Sequence, residues 1–153
     1  MISAFIIGAV SCISVQKNVK TNDSSDVSIA DELQKDLGVN LVEKYWKLTE
    51  LFGEPVSTPE GGREAHMIFK KEDSRITGNS GCNTFNGSFT LQSGNRISFS
   101  KTMSTMMMCA GMETEMKMYH VLEMADNYVV NGDKLVLNKA RMAPLARFEV
   151  VYK

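Results

Sequence analysis

Two cysteine-bearing stretches constrain this chain more than any other feature of it. Gly78-Asn79-Ser80-Gly81-Cys82-Asn83-Thr84-Phe85-Asn86-Gly87 is the first, and Thr105-Met106-Met107-Met108-Cys109 is the second. The remaining cysteine, Cys12, ends an apolar N-terminal run from Ile2 to Val10 that has the composition of an export signal. In an oxidising compartment two further thiols are most simply a disulfide, with two buried free thiols as the alternative. A Cys82–Cys109 bridge closes a loop of roughly 27 residues and contributes about 3.5 kcal/mol in the chain-entropy account. A redox or metal site is disfavoured, because neither stretch holds Cys-x-x-Cys or a histidine at ligand spacing.

The N-terminal run is far shorter than the roughly 20 residues that cross a bilayer as a helix. It reads as the core of a lipoprotein-type signal peptide over residues 1–12. Ala9-Val10-Ser11-Cys12 sets small residues before a cysteine, as a lipoprotein signal peptidase requires, and makes Cys12 the candidate lipidation site. Two features depart from the usual pattern: Ala9 stands where Leu is usual, and no Lys or Arg precedes the run. Residues 13–44 read as a polar tether, with too little apolar content up to about Ile29 to fold alone. Ile29, Leu33, Leu37, Leu41 and Val42 then fall at the spacing of a short amphipathic helix, interrupted by Gly38. Ile13 and Ser14 after Cys12 carry no strong retention signal, so the expected location is the outer membrane of a cell envelope, with the domain facing the periplasm.

From Tyr45 onward the pattern is one of strands and tight turns. Strands are expected around Trp46, Leu48 and Leu51, at Ala65–Phe69, Arg75–Gly78, Phe85–Leu91, Arg96–Ser100, Tyr128–Val130, Lys134–Leu137 and Arg147–Val151, with a long loop over 53–62. Asn131-Gly132-Asp133 is the strongest hairpin signal. In the strand at Phe85, the alternation is carried by Phe85, Ser88 and Thr90. One helix is expected over Glu113–Ala125, where Met112, Glu115, Met118, Leu122 and Ala125 recur at helical spacing and Glu113 and Glu115 suit the dipole of the first turn. Short connections make the sheet antiparallel. The fold class is therefore mainly β (α+β): a small antiparallel β-barrel or half-barrel with one helix packed against it. With 17 basic and 18 acidic residues interspersed, a net charge of −1 gives no footprint for nucleic acid.

The motifs resemble the META domain of HslJ-like proteins. The resemblance rests on Trp46 and Leu48, on the core Gly81, Cys82, Asn83, Phe85 and Gly87, on Thr105, Met107 and Cys109, and on a following helix with Glu115 and Leu122. It spans residues 45–153, with Met108 where Ala is usual and Met118 where Phe is usual. It implies a small antiparallel barrel with a helix against it, no enzymatic activity and no cofactor. Such domains occur in bacterial envelope proteins, often lipoproteins, linked to heat shock and antibiotic stress, and in a parasite protein linked to secretion and virulence.

Read physically, Gly78, Gly81 and Gly87 mark places where the backbone takes positive φ or approaches another chain closely, and Asn79, Asn83 and Asn86 satisfy turn groups. A phosphate-cradling loop is a weak alternative, since no Lys-Ser/Thr and no helix follow. Of the 11 methionines, most fall between Met103 and Met124. Met103, Met106, Met107, Met108, Met112, Met116 and Met118, with His120, are soft ligands of the kind that select Cu(I). Packing of an adaptable apolar residue is the preferred account of them. His66 and His120 lack a nucleophile partner, and Glu113 and Glu115 are accounted for by helix-end electrostatics. Two functions follow. The first is a non-enzymatic envelope lipoprotein, anchored to the membrane through Cys12 and serving an unidentified envelope protein partner under stress. The alternative is a module binding Cu(I) or a small apolar molecule.

Overall fold

A computed structural model describes residues 38–110, 112–141 and 143–152. The expected signal peptide with Cys12, most of the expected tether, and the expected helix positions Ile29, Leu33 and Leu37 lie outside the described residues. Residues 38–43 form turns, and Leu41 is buried in the core. The Trp46 indole Nε1 donates to the Leu41 carbonyl at 2.8 Å, which fastens this entry segment to the barrel.

The chain runs β1 (Trp46–Leu51), β2 (Glu54–Pro55), β3 (His66–Lys70), β4 (Arg75–Asn79), β5 (Thr84–Gln92), β6 (Arg96–Phe99), β7 (Met103–Ser104), α1 (Glu113–Met124), β8 (Asn127–Asn131), β9 (Lys134–Asn138) and β10 (Pro144–Val150). All the strand pairs are antiparallel. The order β10-β9-β8-β6-β5-β4-β3-β1 closes on itself because β1 also pairs with β10, so the expectation resolves to a closed barrel of eight strands. Closure joins the two ends of the domain: Trp46 lies opposite Val150, Leu48 opposite Phe148 and Leu51 opposite Ala146. The two-residue strands are additions to this ring. β2, inside the expected loop, flanks β1, and β7 flanks β5 at Phe85 and Asn86.

Alternation sorts each strand into an inner and an outer face. In β5, Phe85, Phe89 and Leu91 face the core while Ser88 and Thr90 are exposed, the inner and outer faces that the alternation of Phe85, Ser88 and Thr90 marks. The reason is the period of two: Ser88 and Thr90 fall on the opposite face from Phe85. The Asn131-Gly132 turn joins β8 to β9 in register from Asn131–Lys134 to Asn127–Asn138, with Gly132 at φ 58°. The β6–β8 seam is the thinnest, one residue pair at Arg96 and Asn127 supported by Tyr128 N–H donating to Asn95 O at 3.0 Å. Helix α1 feeds directly into β8 and packs against β6, β1 and β10, burying Met118, Val121 and Leu122.

The register separates two ends. Asn79 pairs with Thr84 at one end of β4 and β5, and Arg75 pairs with Ser88 toward the other. Residues 38–43 sit at the Arg75 end, where Glu43 N–H donates to Phe69 O at 2.8 Å and its carboxylate pairs with Lys70 at 3.2 Å. The β4–β5 connection, residues 105–109 and the start of α1 gather at the other end, about 24 Å away along β5.

Close strand approach explains one glycine. A Cβ on Gly78 would fall on the His66 carbonyl oxygen and 2.9 Å from Met67 Cα, both backbone atoms of the paired strand β3. Gly78→Ala is therefore expected to lower stability by about 3 kcal/mol through overpacking. Urea unfolding would show it as a fallen midpoint, and a change under about 0.5 kcal/mol, the scale of an indifferent surface substitution, would refute the account.

Candidate functional site

The residues of the two cysteine stretches meet at the end of the barrel opposite residues 38–43. Between β4 and β5 the chain turns through Ser80-Gly81-Cys82-Asn83. Gly81 adopts φ 104°, a conformation that side chains rarely accept, and its N–H donates to Asn79 Oδ1 at 2.8 Å. The turn delivers Asn83, itself 1% exposed, into the gap between the 105–109 segment and α1. Asn83 Oδ1 accepts from Thr105 Oγ1 at 2.7 Å and from Met107 N–H at 2.8 Å. Its Nδ2 donates to Met107 O at 3.0 Å and to Glu115 Oε1 at 2.9 Å. One amide thus fills its whole hydrogen-bonding capacity and holds both backbone groups of Met107.

Glu115, 6% exposed, receives the rest of the network. Its Oε2 accepts from Ser80 Oγ at 2.7 Å and from Asn83 N–H at 2.9 Å. Ser80 has one hydrogen and two acceptors within reach, Glu115 Oε2 and Asn83 O at 2.9 Å, and the Tyr119 hydroxyl lies 3.3 Å from its Oγ. A buried carboxylate is tolerated when each oxygen is hydrogen-bonded, and here neutral donors supply that. The reading of Glu115 as a helix-dipole residue is corrected, because the helix turns this side chain inward to the β4–β5 turn. Glu113 does stay on the surface, paired with Lys117 at 2.7 Å. Cys82 and Cys109 are joined by a disulfide with Cα atoms 5.9 Å apart, a second fastening of the same two segments.

The other motif residues are structural. Trp46 and Phe85 are fully buried, Leu122 is 3% exposed, and Phe85 meets the Tyr119 ring edge-on at 6.0 Å. Gly87 leaves room for Thr102, whose Cγ2 would stand 3.2 Å from an added Cβ. Of the three asparagines read as turn residues, Asn79 and Asn83 hold backbone N–H groups, but Asn83 does much more. Ser80 and Tyr119 were not anticipated. Nothing in the local pattern marks them, since their role depends on a contact across 39 residues.

The methionines divide sharply, and the packing account is corrected for most of them. Met67 and Met118 are core residues at 0% exposure, whereas Met103, Met106, Met107, Met108 and Met116 are exposed at 67%, 97%, 43%, 93% and 63%. The physical reason is that Asn83 and the disulfide fix the 105–109 backbone on the barrel's outside, so its side chains are not needed to hold it there. Among the described residues no three His, Cys, Asp or Glu side chains are grouped to hold a metal ion. His120 lies on the exposed face of α1, 6.0 Å from the Phe52 ring. His66 stacks on Tyr45 at 4.2 Å and donates from Nδ1 to Glu64 O at 3.0 Å.

That stacked pair borders an open cleft of about 460 Å³ on the barrel's flank, reaching Arg63, Thr77 and Asn79. Its polar groups are largely engaged in holding the fold. Tyr45 Oη donates to Glu64 at 3.0 Å, Lys47 pairs with Glu64 at 2.7 Å, and Thr77 Oγ1 donates to Phe85 O at 3.3 Å. Burial, followed by the Glu64 carboxylate, pushes the Tyr45 phenol up to about 12.

A family model described as the META domain matches residues 39–152, well over half of the chain, and the chain belongs to that family. Two NMR structures share the fold. One is 22% identical with TM-score 0.56, over 70% of this chain and 88% of that one. The other, of a protein from Burkholderia xenovorans, is 19% identical with TM-score 0.60, over 97% of this chain and all of that one. No curated protein matches the chain.

Asn83→Ala would strand Met107 N–H, Met107 O and Glu115 Oε1 together, so a loss of about 3 kcal/mol is expected. Asn86→Ala, whose side chain makes no hydrogen bond to the described residues, should stay within about 0.5 kcal/mol. Equal losses for the two, measured by denaturant titration, would show that Asn83 is an ordinary turn residue.

Proposed function

We propose that this META-domain chain is a non-catalytic binding module of the cell envelope, tethered to the outer membrane by lipid on Cys12, with its domain in the periplasm and a role under envelope stress. The observation that carries the reading is the Cys82–Cys109 disulfide at the centre of the motif cluster. Such a bridge persists in oxidising compartments and is rare where glutathione keeps thiols reduced. Its partners support the non-catalytic part. The motif residues Asn83 and Glu115, with neighbouring Ser80, are buried and bonded to one another, where a catalyst would present such groups to a substrate.

The two-ended geometry supports a tethered module. The described chain begins at Gly38 beside Leu91, at the end of the barrel remote from the exposed methionines. A lipid anchor ahead of residue 38 therefore joins the domain at the end opposite the exposed methionines. Among the described residues no helix is long and apolar enough to cross a membrane, so in this reading attachment falls to the lipid. One acyl chain binds a membrane weakly, and the two or more chains of a lipoprotein anchor hold it stably.

Metabolic labelling with a clickable fatty acid tests the anchor. The full chain should carry label and sediment with outer membranes, while Cys12→Ser should lose both. Unchanged membrane partition of Cys12→Ser would overturn the anchor. Alkylation of Cys82 and Cys109 in intact cells without reductant would overturn the compartment.

A further inference from the structure

We propose that the segment from Met103 to Met108 is a Cu(I)-binding site whose ligands are thioether sulfurs. The proposal rests on the binding-module reading, deepens it at the barrel end opposite residues 38–43, and does not depend on the lipid anchor.

Three observations carry it. The first is placement: Met103, Met106, Met107 and Met108 supply four thioethers within six residues, and all four are exposed. They do no core work, since that falls to Met67 and Met118. Exposed methionine also serves adaptable protein-binding surfaces, and what it adds over leucine for a soft ion is a thioether that can ligate. The second is chemistry. Cys109, the thiol nearest in sequence, is consumed by the disulfide, and residues 103–108 include no histidine or carboxylate. The donor set is therefore neutral and soft, which favours a monovalent d10 ion such as Cu(I) over zinc, calcium or magnesium.

The third observation is rigidity. Thr105 Oγ1, Met107 N–H and Met107 O are all bonded to Asn83, Thr105 N–H at the β5 edge donates to Thr84 O at 3.1 Å, and Cys109 is cross-linked. Exposed thioethers on a fixed backbone lose less freedom on ligation than the same residues on a loose loop. Binding adds dative sulfur–copper bonds only. No electron is transferred, the thioethers carry no proton to release, and the disulfide is untouched.

The test uses the full chain carrying Cys12→Ser, which removes the free thiol that would otherwise capture the ion. Methionine methyl groups are labelled with carbon-13, and Ag(I), the redox-inert d10 counterpart, is titrated while methyl resonances are followed. The methyls of Met103, Met106, Met107 and Met108 should shift together, while buried Met67 and Met118 stay in place and report an intact fold. Anaerobic competition with a chromogenic Cu(I) chelator should then give a dissociation constant weakened roughly tenfold or more when all four residues become leucine, since losses outside the ligand shell alone reach about 10–100-fold. No methyl shift would overturn the proposal. So would equal shifts at Met116, an exposed thioether on α1 outside the segment, which would mean that any solvent-facing methionine suffices. So would unchanged affinity in the leucine variant. None of these results alters membrane partition through Cys12, so the site and the anchor fail separately.

Discussion

A carboxylate taken out of water organises the end of this barrel opposite residues 38–43. Glu115 is held by Ser80 Oγ, Asn83 N–H and Asn83 Nδ2, all neutral donors, and each reaches it only because the β4–β5 turn bends at Gly81. Burying a carboxylate without such partners costs several kcal/mol, which makes the donors a condition of the helix packing where it does. The same amide that satisfies Glu115 also holds Met107, so helix, turn and the 105–109 segment form one cooperative unit. The disulfide adds a covalent fastening to an arrangement already specified by hydrogen bonds.

One property of the surface follows from that unit. Because the 105–109 segment is held by its backbone, its side chains are free to face solvent, and four methionines between Met103 and Met108 do so. β1 and β10 close the ring, the two-residue β2 and β7 lie outside it, and among the described strands the thin seam is β6–β8, joined by a single residue pair.

Much of the fold was legible in the primary structure. The Asn131-Gly132 turn, the alternation of Lys134–Asn138 and the helical spacing of Met118 and Leu122 each carry their structure in a few neighbouring residues. Barrel closure was left open between barrel and half-barrel, since pairing Trp46 with Val150 spans nearly the whole domain and has no local signature. The candidate site was legible as a set of motif residues but misread in its roles. Glu115 looked like a first-turn acid because helix dipoles are a local effect, whereas its actual partners are Ser80 and Asn83. The methionines looked like packing because apolar residues usually are, and hydropathy alone does not say which side of a fixed backbone faces water.

Turn chemistry, strand and helix periodicity and the residues of the family motif were legible in short stretches of the chain, where propensity and spacing act. The burial of Glu115, the central place of Asn83 and the exposure of Met106 and Met108 were settled only when segments more than 20 residues apart came into contact. Burial and hydrogen-bond partnership belong to that three-dimensional neighbourhood: the same glutamate or methionine, in the same local pattern, would play a different part had the β4–β5 turn pointed elsewhere.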